Sequence, residues 1–434
     1  MSTRTDSAVS STASLTPVDE GERILVIDIL RGFALLGILL VNMSIFSAPF
    51  IGSLIGVPRG NTPIDHAAEF IIWWLATGKF YPLFSFLFGL GMSIQLARAA
   101  EHGANFTRRY ARRLVVLLLF GLAHALLVWN GDILFIYALI GFLLMLFRNA
   151  RPKTLLIWAG VLLALPFGLG VLSAIVNTAF LSAMPLEAMA RDGLDIHRLF
   201  ADLYARTVEV YSRGSWGQIF VWRAIEWVIV LIAVGFNSTP QILGLFVLGL
   251  YAGKVGIFQQ MDAHRRLFML GARLALPVGL VINAAIAWLA LTAEDGLTSG
   301  NLVFAQTFLL LGGPLLTYGY LSVIVLTAQR ILASPGERLR RLLNLPTAAG
   351  RMALSNYLMQ SIVCTLIFYS YGLGLYGQVG AAAGLLLSIV IWAVQLPISA
   401  LWLRFFRFGP LEWIWRSLTY GKPPAMRRRP LSAS

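Results

Sequence analysis

Few residues in this chain can do chemistry, and the most suggestive is His124. It ends the run Gly121-Leu122-Ala123-His124 and is followed by Trp129-Asn130-Gly131-Asp132. Asn-Gly is a turn signal, so the apolar stretches on either side form a hairpin, with His124 about 9 Å below Asn130 along its helix. An imidazole in an apolar slab needs a partner. It is either a satisfied structural histidine or a general base or proton relay. Asp132 accepts a hydrogen bond from it if the first helix bends or a water intervenes; otherwise it caps the next helix at its positive end. His66, His102, His197 and His264 show no metal-ligand spacing, and no metal site is expected.

A second group, Asp28-Ile29-Leu30-Arg31-Gly32-Phe33, is followed by Asn42 eleven residues after Arg31, about three helical turns on and so on the same face. Asp28 and Arg31 pair locally. They anchor the chain at the interface, or Arg31 receives an anionic, phosphate-bearing ligand. Lys79, in Lys79-Phe80-Tyr81-Pro82, either snorkels to the headgroups or lends positive charge to an outer cleft. Late in the chain, Gly350-Arg351-Met352-Ala353-Leu354-Ser355-Asn356-Tyr357-Leu358-Met359-Gln360 carries Asn356 and Gln360 one turn apart, as interhelical glue or as the lining of a ligand path. Arg351 and Asn356 join the candidate binding residues.

The elements that position these groups are membrane helices. Of the 434 residues 58% are hydrophobic and 12% charged, with a mean hydropathy of +0.76, which leaves too little polar material to coat a soluble globule of this length. The expected fold is all-α, a polytopic integral membrane bundle of about ten transmembrane helices. Spans are expected near Ile24–Phe46, Trp73–Ala97, Leu114–Trp129, Ile133–Phe147, Thr154–Leu181, Pro240–Gly256, Leu267–Leu291, Leu302–Leu326, Met352–Phe368 and Ala381–Leu403.

The apolar segment Trp216–Gly235 carries Arg223 and Glu226. If it does not cross, both termini are cytoplasmic and most of the 34 Lys and Arg residues fall on the inner side, so it is read as a re-entrant or interfacial helix. Residues 1–22 read as a disordered tail without signal-peptide character, 23–408 as the transmembrane domain and 409–434 as an amphipathic, basic cytoplasmic tail. The net charge of +14 is spread over inner loops and Arg427-Arg428-Arg429, which fits lipid contact and orientation and not nucleic acid. The single cysteine, Cys364, excludes an intramolecular disulfide.

Four motifs in order, Ile27-Asp28-Ile29-Leu30-Arg31-Gly32-Phe33-Ala34-Leu35-Leu36-Gly37-Ile38-Leu39, Trp129-Asn130-Gly131-Asp132-Ile133-Leu134, Gly350-Arg351-Met352-Ala353-Leu354-Ser355-Asn356-Tyr357 and Gly409-Pro410-Leu411-Glu412-Trp413, resemble the YeiB family of bacterial membrane proteins. The C-terminal half of that family is catalogued as a domain of unknown function. The Asp-x-x-Arg-Gly entry into the first span is also similar to the transmembrane acyltransferases that include heparan-glucosaminide N-acetyltransferase. That resemblance implies acyl transfer from cytoplasmic acyl-CoA to an acceptor across the membrane, and it carries over Asp28, Arg31 and Asn42. The catalytic histidine of those enzymes follows the first span, whereas Ser47 to Ile64 contains no histidine, so His124 stands on its own surroundings.

The expected function is therefore an acyltransferase of a bacterial inner membrane, with His124 and Asp132 as catalytic residues and Asp28, Arg31, Asn42, Lys79, Arg351 and Asn356 as binding residues. Acyl-CoA is a co-substrate and not a bound cofactor. The partners are the lipid bilayer and a small-molecule, sugar or lipid acceptor, with oligomer formation open. The alternatives are a transporter, in which Asp28, Arg31, His124 and Asp132 form a pathway, and a scaffold whose polar residues only hold helices together.

Overall fold

The computed structural model describes residues 24–54, 57, 59–101, 105–183, 196–293 and 300–428. The expected N-terminal tail lies outside them. The elements of the described residues are helical, apart from one isolated bridge between Phe406 and Arg427. The helices are α1 (Leu25–Ser47), α2 (Phe50–Leu54), α3 (Pro63–Leu75), α4 (Phe80–Glu101), α5 (Phe106–Leu127) and α6 (Leu134–Leu144). They continue with α7 (Pro152–Ala183), α8 (Ile196–Arg213), α9 (Trp216–Val230), α10 (Phe236–Val255), α11 (Arg265–Leu270) and α12 (Leu276–Leu291). The last five are α13 (Gly300–Ala333), α14 (Glu337–Arg351), α15 (Ala353–Phe368), α16 (Ala381–Phe405) and α17 (Pro410–Tyr420).

Among the described residues seven helices are long and apolar enough to cross a membrane: α1, α3 with α4, α5, α7, α11 with α12, α13 and α16. Leu134–Phe147 and α15 are shorter apolar helices, at about 1.5 Å per residue well under the roughly 30 Å hydrocarbon core. The expected span at Pro240–Gly256 corresponds to α10, which ends where Lys254 Nζ donates to the Arg148 and Ala150 carbonyls, at 2.7 and 2.9 Å.

The segment at Trp216–Gly235 is tied to the α5–α6 hairpin. Its Arg223 donates to the Leu126 carbonyl at the end of α5 (3.2 Å), and its Glu226 accepts from Asn130 and Tyr211 at 2.9 and 2.6 Å. These contacts hold α9 against the end of α5 and the turn at Asn130, and a π-helical stretch, Leu231–Gly235, carries it into α10. Buried charges can reside there because each finds a backbone or side-chain partner.

Close packing at the inner end depends on glycine. A Cβ at Gly32 would sit 2.0 Å from the Pro346 carbonyl oxygen, and one at Gly350 would sit 1.8 Å from that of Asp28. The first and third polar motifs are thus pressed together, with the buried end of α14, Pro346 to Gly350, inserted beside α1. The amphipathic α17 is not a free tail: it packs on α5 and α15.

Candidate functional site

The hairpin between α5 and α6 brings His124 and Asp132 together without a bend in α5 or a bridging water. After Leu127 the chain leaves the helix, Val128 and Trp129 donating back to the His124 carbonyl, and returns so that Asp132 lies beside the last turn. Gly121 makes room for this, since a Cβ there would lie 2.3 Å from the Phe135 nitrogen and 2.7 Å from Asp132 Oδ1. Asp132 then does both things open to it. Its Oδ2 lies 2.7 Å from His124 Nδ1, and its Oδ1 accepts from the Phe135 N–H at 2.8 Å, capping α6.

With the carboxylate as acceptor a proton sits on Nδ1, and in the neutral imidazole Nε2 then keeps its lone pair. Nε2 is buried without a hydrogen-bond partner, in a residue only 1% exposed. A carboxylate-oriented imidazole with a bare Nε2 has the makings of a general base.

Beneath it runs a cavity of about 250 Å³. At its inner end are Arg31, Arg113, Arg351 and Arg416, its middle is apolar with Ile38, Phe84 and Leu117, and its upper end is closed by Ile133, Tyr137 and Tyr357. Four guanidinium groups against one carboxylate, Glu412, make the base cationic, the charge that suits phosphate groups. Burial and then the neighbouring Arg113 bring the Arg416 guanidinium down to about 10, still protonated at neutral pH.

Glu412 does not neutralise that base freely. It accepts from the Leu354 and Ser355 backbone N–H groups at 2.7 and 3.1 Å and from the Ser355 hydroxyl, capping the start of α15. Burial nevertheless pushes its carboxyl above the usual carboxylate range, against the pull of Ser355. Arg113 lies with its guanidinium carbon 3.6 Å from the centre of the Trp415 ring, whose Nε1 donates to the Arg113 carbonyl at 3.1 Å. The floor of the cavity is therefore sewn to α5 and α15 by α17.

Of the residues singled out from the sequence, Arg31 and Arg351 line the cavity. Asp28 pairs with Arg31 at 3.0 Å and stands behind it. Asn42 lies a turn beyond Ile38, outside the cavity lining. Lys79 is elsewhere: fully buried in the break between α3 and α4, it donates to the Trp73 carbonyl at 2.7 Å and does not reach the headgroups. Asn356 turns towards α16, donating to the Ala349 carbonyl and Ser399 Oγ at 3.0 and 2.9 Å, while Gln360 donates to Gln395 at 2.8 Å. That stripe joins helices and does not line the cavity.

Sequence reasoning missed Arg113, Arg416 and Tyr357 as cavity residues. Arg113 closes the run Arg108-Arg109-Tyr110-Ala111-Arg112-Arg113 just before an apolar span, and Arg416 follows the tryptophans of α17. An arginine at the threshold of a span was the available signal. Among the described residues no group of three His, Cys, Asp or Glu side chains is placed to hold a metal ion.

A family described as a protein of unknown function (DUF418) matches residues 252–422. The uncharacterized protein YxaH of Bacillus subtilis (strain 168) is 38% identical over 426 residues, covering 94% of this chain and 97% of its own length. YeiB of Escherichia coli (strain K12), also uncharacterized, is 31% identical over 405 residues, 92% of this chain and 96% of that protein. The chain belongs to the YeiB family. A further relative, an uncharacterized 39.9 kDa protein of Bacillus acidopullulyticus, is 28% identical over 421 residues, covering 94% of this chain and 97% of its own length. No solved structure matches. In this YeiB-family chain the segment 252–422 contributes Arg351, Tyr357, Glu412 and Arg416, while Arg31, Arg113 and the His124–Asp132 pair precede it.

Proposed function

We propose that this protein is a membrane-embedded acyltransferase of a bacterial cell membrane, moving an acyl group from cytoplasmic acyl-CoA to a small-molecule, sugar or lipid acceptor on or near the outer side. The observation that carries the reading is one cavity with four arginines at its base and, behind its upper wall, an imidazole oriented by a carboxylate. Arg31, Arg113, Arg351 and Arg416 hold the nucleotide phosphates, and the apolar middle receives the thioester arm. His124 Nε2 takes the proton of the acceptor hydroxyl or amine as that atom attacks the thioester carbonyl. Asp132 stabilises the imidazolium, and the coenzyme A thiolate departs as the carbonyl re-forms.

The test is calorimetric binding of acetyl-CoA and longer acyl-CoAs to the purified full-length protein, with Arg31→Ala as control. Saturable binding that the substitution weakens supports the reading; no binding of any acyl-CoA sinks it. A transporter is the second reading, favoured by the break after α3 at residues 76–79 and by the π-helical junction at Leu231–Gly235, since interrupted helices are characteristic of transport sites. Solute uptake into vesicles driven by a pH gradient, without consumption of acyl-CoA, distinguishes it.

A further inference from the structure

The base and the cavity do not touch. Tyr357, Ile133 and Tyr137 form the upper wall, and His124 is not part of it. Between the imidazole and the cavity lies the Tyr357 ring, its centroid 5.3 Å from that of His124 with the planes 58° apart. Whatever enters from the inner side meets the phenol first, so a route to Nε2 from this side passes through the position of that ring.

Two neighbouring tyrosines show what an anchored phenol looks like here. Tyr137 exchanges a hydrogen bond with Ser85 at 2.7 Å and donates to the Tyr81 carbonyl at 2.9 Å; Tyr81 donates to Gln241 at 2.6 Å. Tyr357 Oη is buried facing the Ile133 backbone and closes no hydrogen bond of normal geometry. Its backbone is held nonetheless, because the adjacent Asn356 is tied to Ala349 and Ser399 and its main-chain oxygen accepts from Gln395 at 3.0 Å. No hydrogen bond has to break for the ring to turn; what holds it is apolar packing against Leu35, Ala349, Phe84 and Trp392, and the adjoining cavity offers the volume into which it can move.

We propose that Tyr357 is a positioning residue that gates the base: its ring separates His124 Nε2 from the cavity in the closed state, and its rotation opens the contact. The proposal rests on the acyltransferase reading for the purpose of the gate, because exclusion of water until the acceptor is in place protects the thioester from hydrolysis. The existence of the gate does not depend on that reading.

The experiment is carbethoxylation of His124 by diethyl pyrocarbonate in the purified full-length protein, followed by mass spectrometry of the His124 peptide, with His124→Ala as blank. Tyr357→Ala and Tyr357→Leu are expected to raise the modification rate at His124 by about tenfold or more, with Tyr357→Phe close to wild type, because the ring is the barrier. Tyr357→Leu keeps an apolar side chain on α15 and decides the matter if the alanine variant does not fold. Equal rates in wild type and the leucine variant overturn the gate, and so does a phenylalanine variant as fast as leucine. Since the readout requires no turnover, a protein that binds no acyl-CoA but shows these rates loses the acyltransferase reading and keeps the gate.

Discussion

The two ends of the candidate site are built in opposite ways. Its upper chemistry comes from one hairpin, His124 and Asp132 being eight positions apart, whereas its base is assembled from Arg31, Arg113, Arg351 and Arg416, which lie on four separate helices or helix ends. A local site can be altered with little effect on the fold. A base that doubles as the junction of α1, α5, α14 and α17 cannot, so ligand binding and stability are coupled there.

The largest expected effect is at the hairpin. His124→Gln, whose side-chain amide can still donate to the buried Asp132 carboxylate, should lower acyl transfer by about a hundred- to ten-thousand-fold, the usual worth of a general base, with the thermal midpoint little changed. Asp132→Asn sharpens the point: its remaining oxygen still caps α6 through Phe135, but the amide no longer orients and charges the imidazole, and turnover should fall by about a hundredfold or more. A loss of stability as large as the loss of activity in that variant would count against a local, separable site.

At the base the sign of the comparison reverses. Gly350→Val forces a side chain into the Asp28 carbonyl and should cost about 3 kcal/mol, seen as loss of monodisperse folded protein. Glu412→Ala leaves the Leu354 and Ser355 N–H groups unpaired and should cost about 1–3 kcal/mol by chemical or thermal unfolding. The smallest effect is expected from Arg113→Lys, which keeps the charge but loses the planar stack on Trp415, worth about 0.5–2 kcal/mol and read as a several-fold weaker acyl-CoA affinity.

The same contrast explains what could be read from the sequence. The apolar helices were legible because a bilayer demands apolar stretches of a definite length, and seven of the described helices meet that demand. The hairpin was legible because Asn130-Gly131 marks the turn, but spacing along a straight helix left open whether Asp132 reaches His124. Gly121 settles it by letting the second helix come close, a steric fact that no motif announces. Lys79 and Asn356 were singled out for polarity, yet their partners are the Trp73 carbonyl within its own segment and Ser399 on a later helix, and only the fold shows which way each one turns. Arg113 and Arg416 looked like ordinary inner-loop charges because the cavity that they face is created by the docking of α17.

That docking sets an order of events during biosynthesis. Glu412, Trp415 and Arg416 emerge from the ribosome only after every crossing helix has been made, so a nascent bundle carries an unsealed base until α17 arrives. A chain cut short before Gly409 would leave the α15 N-terminus uncapped and the arginines of α1 and α5 without the helix that covers them.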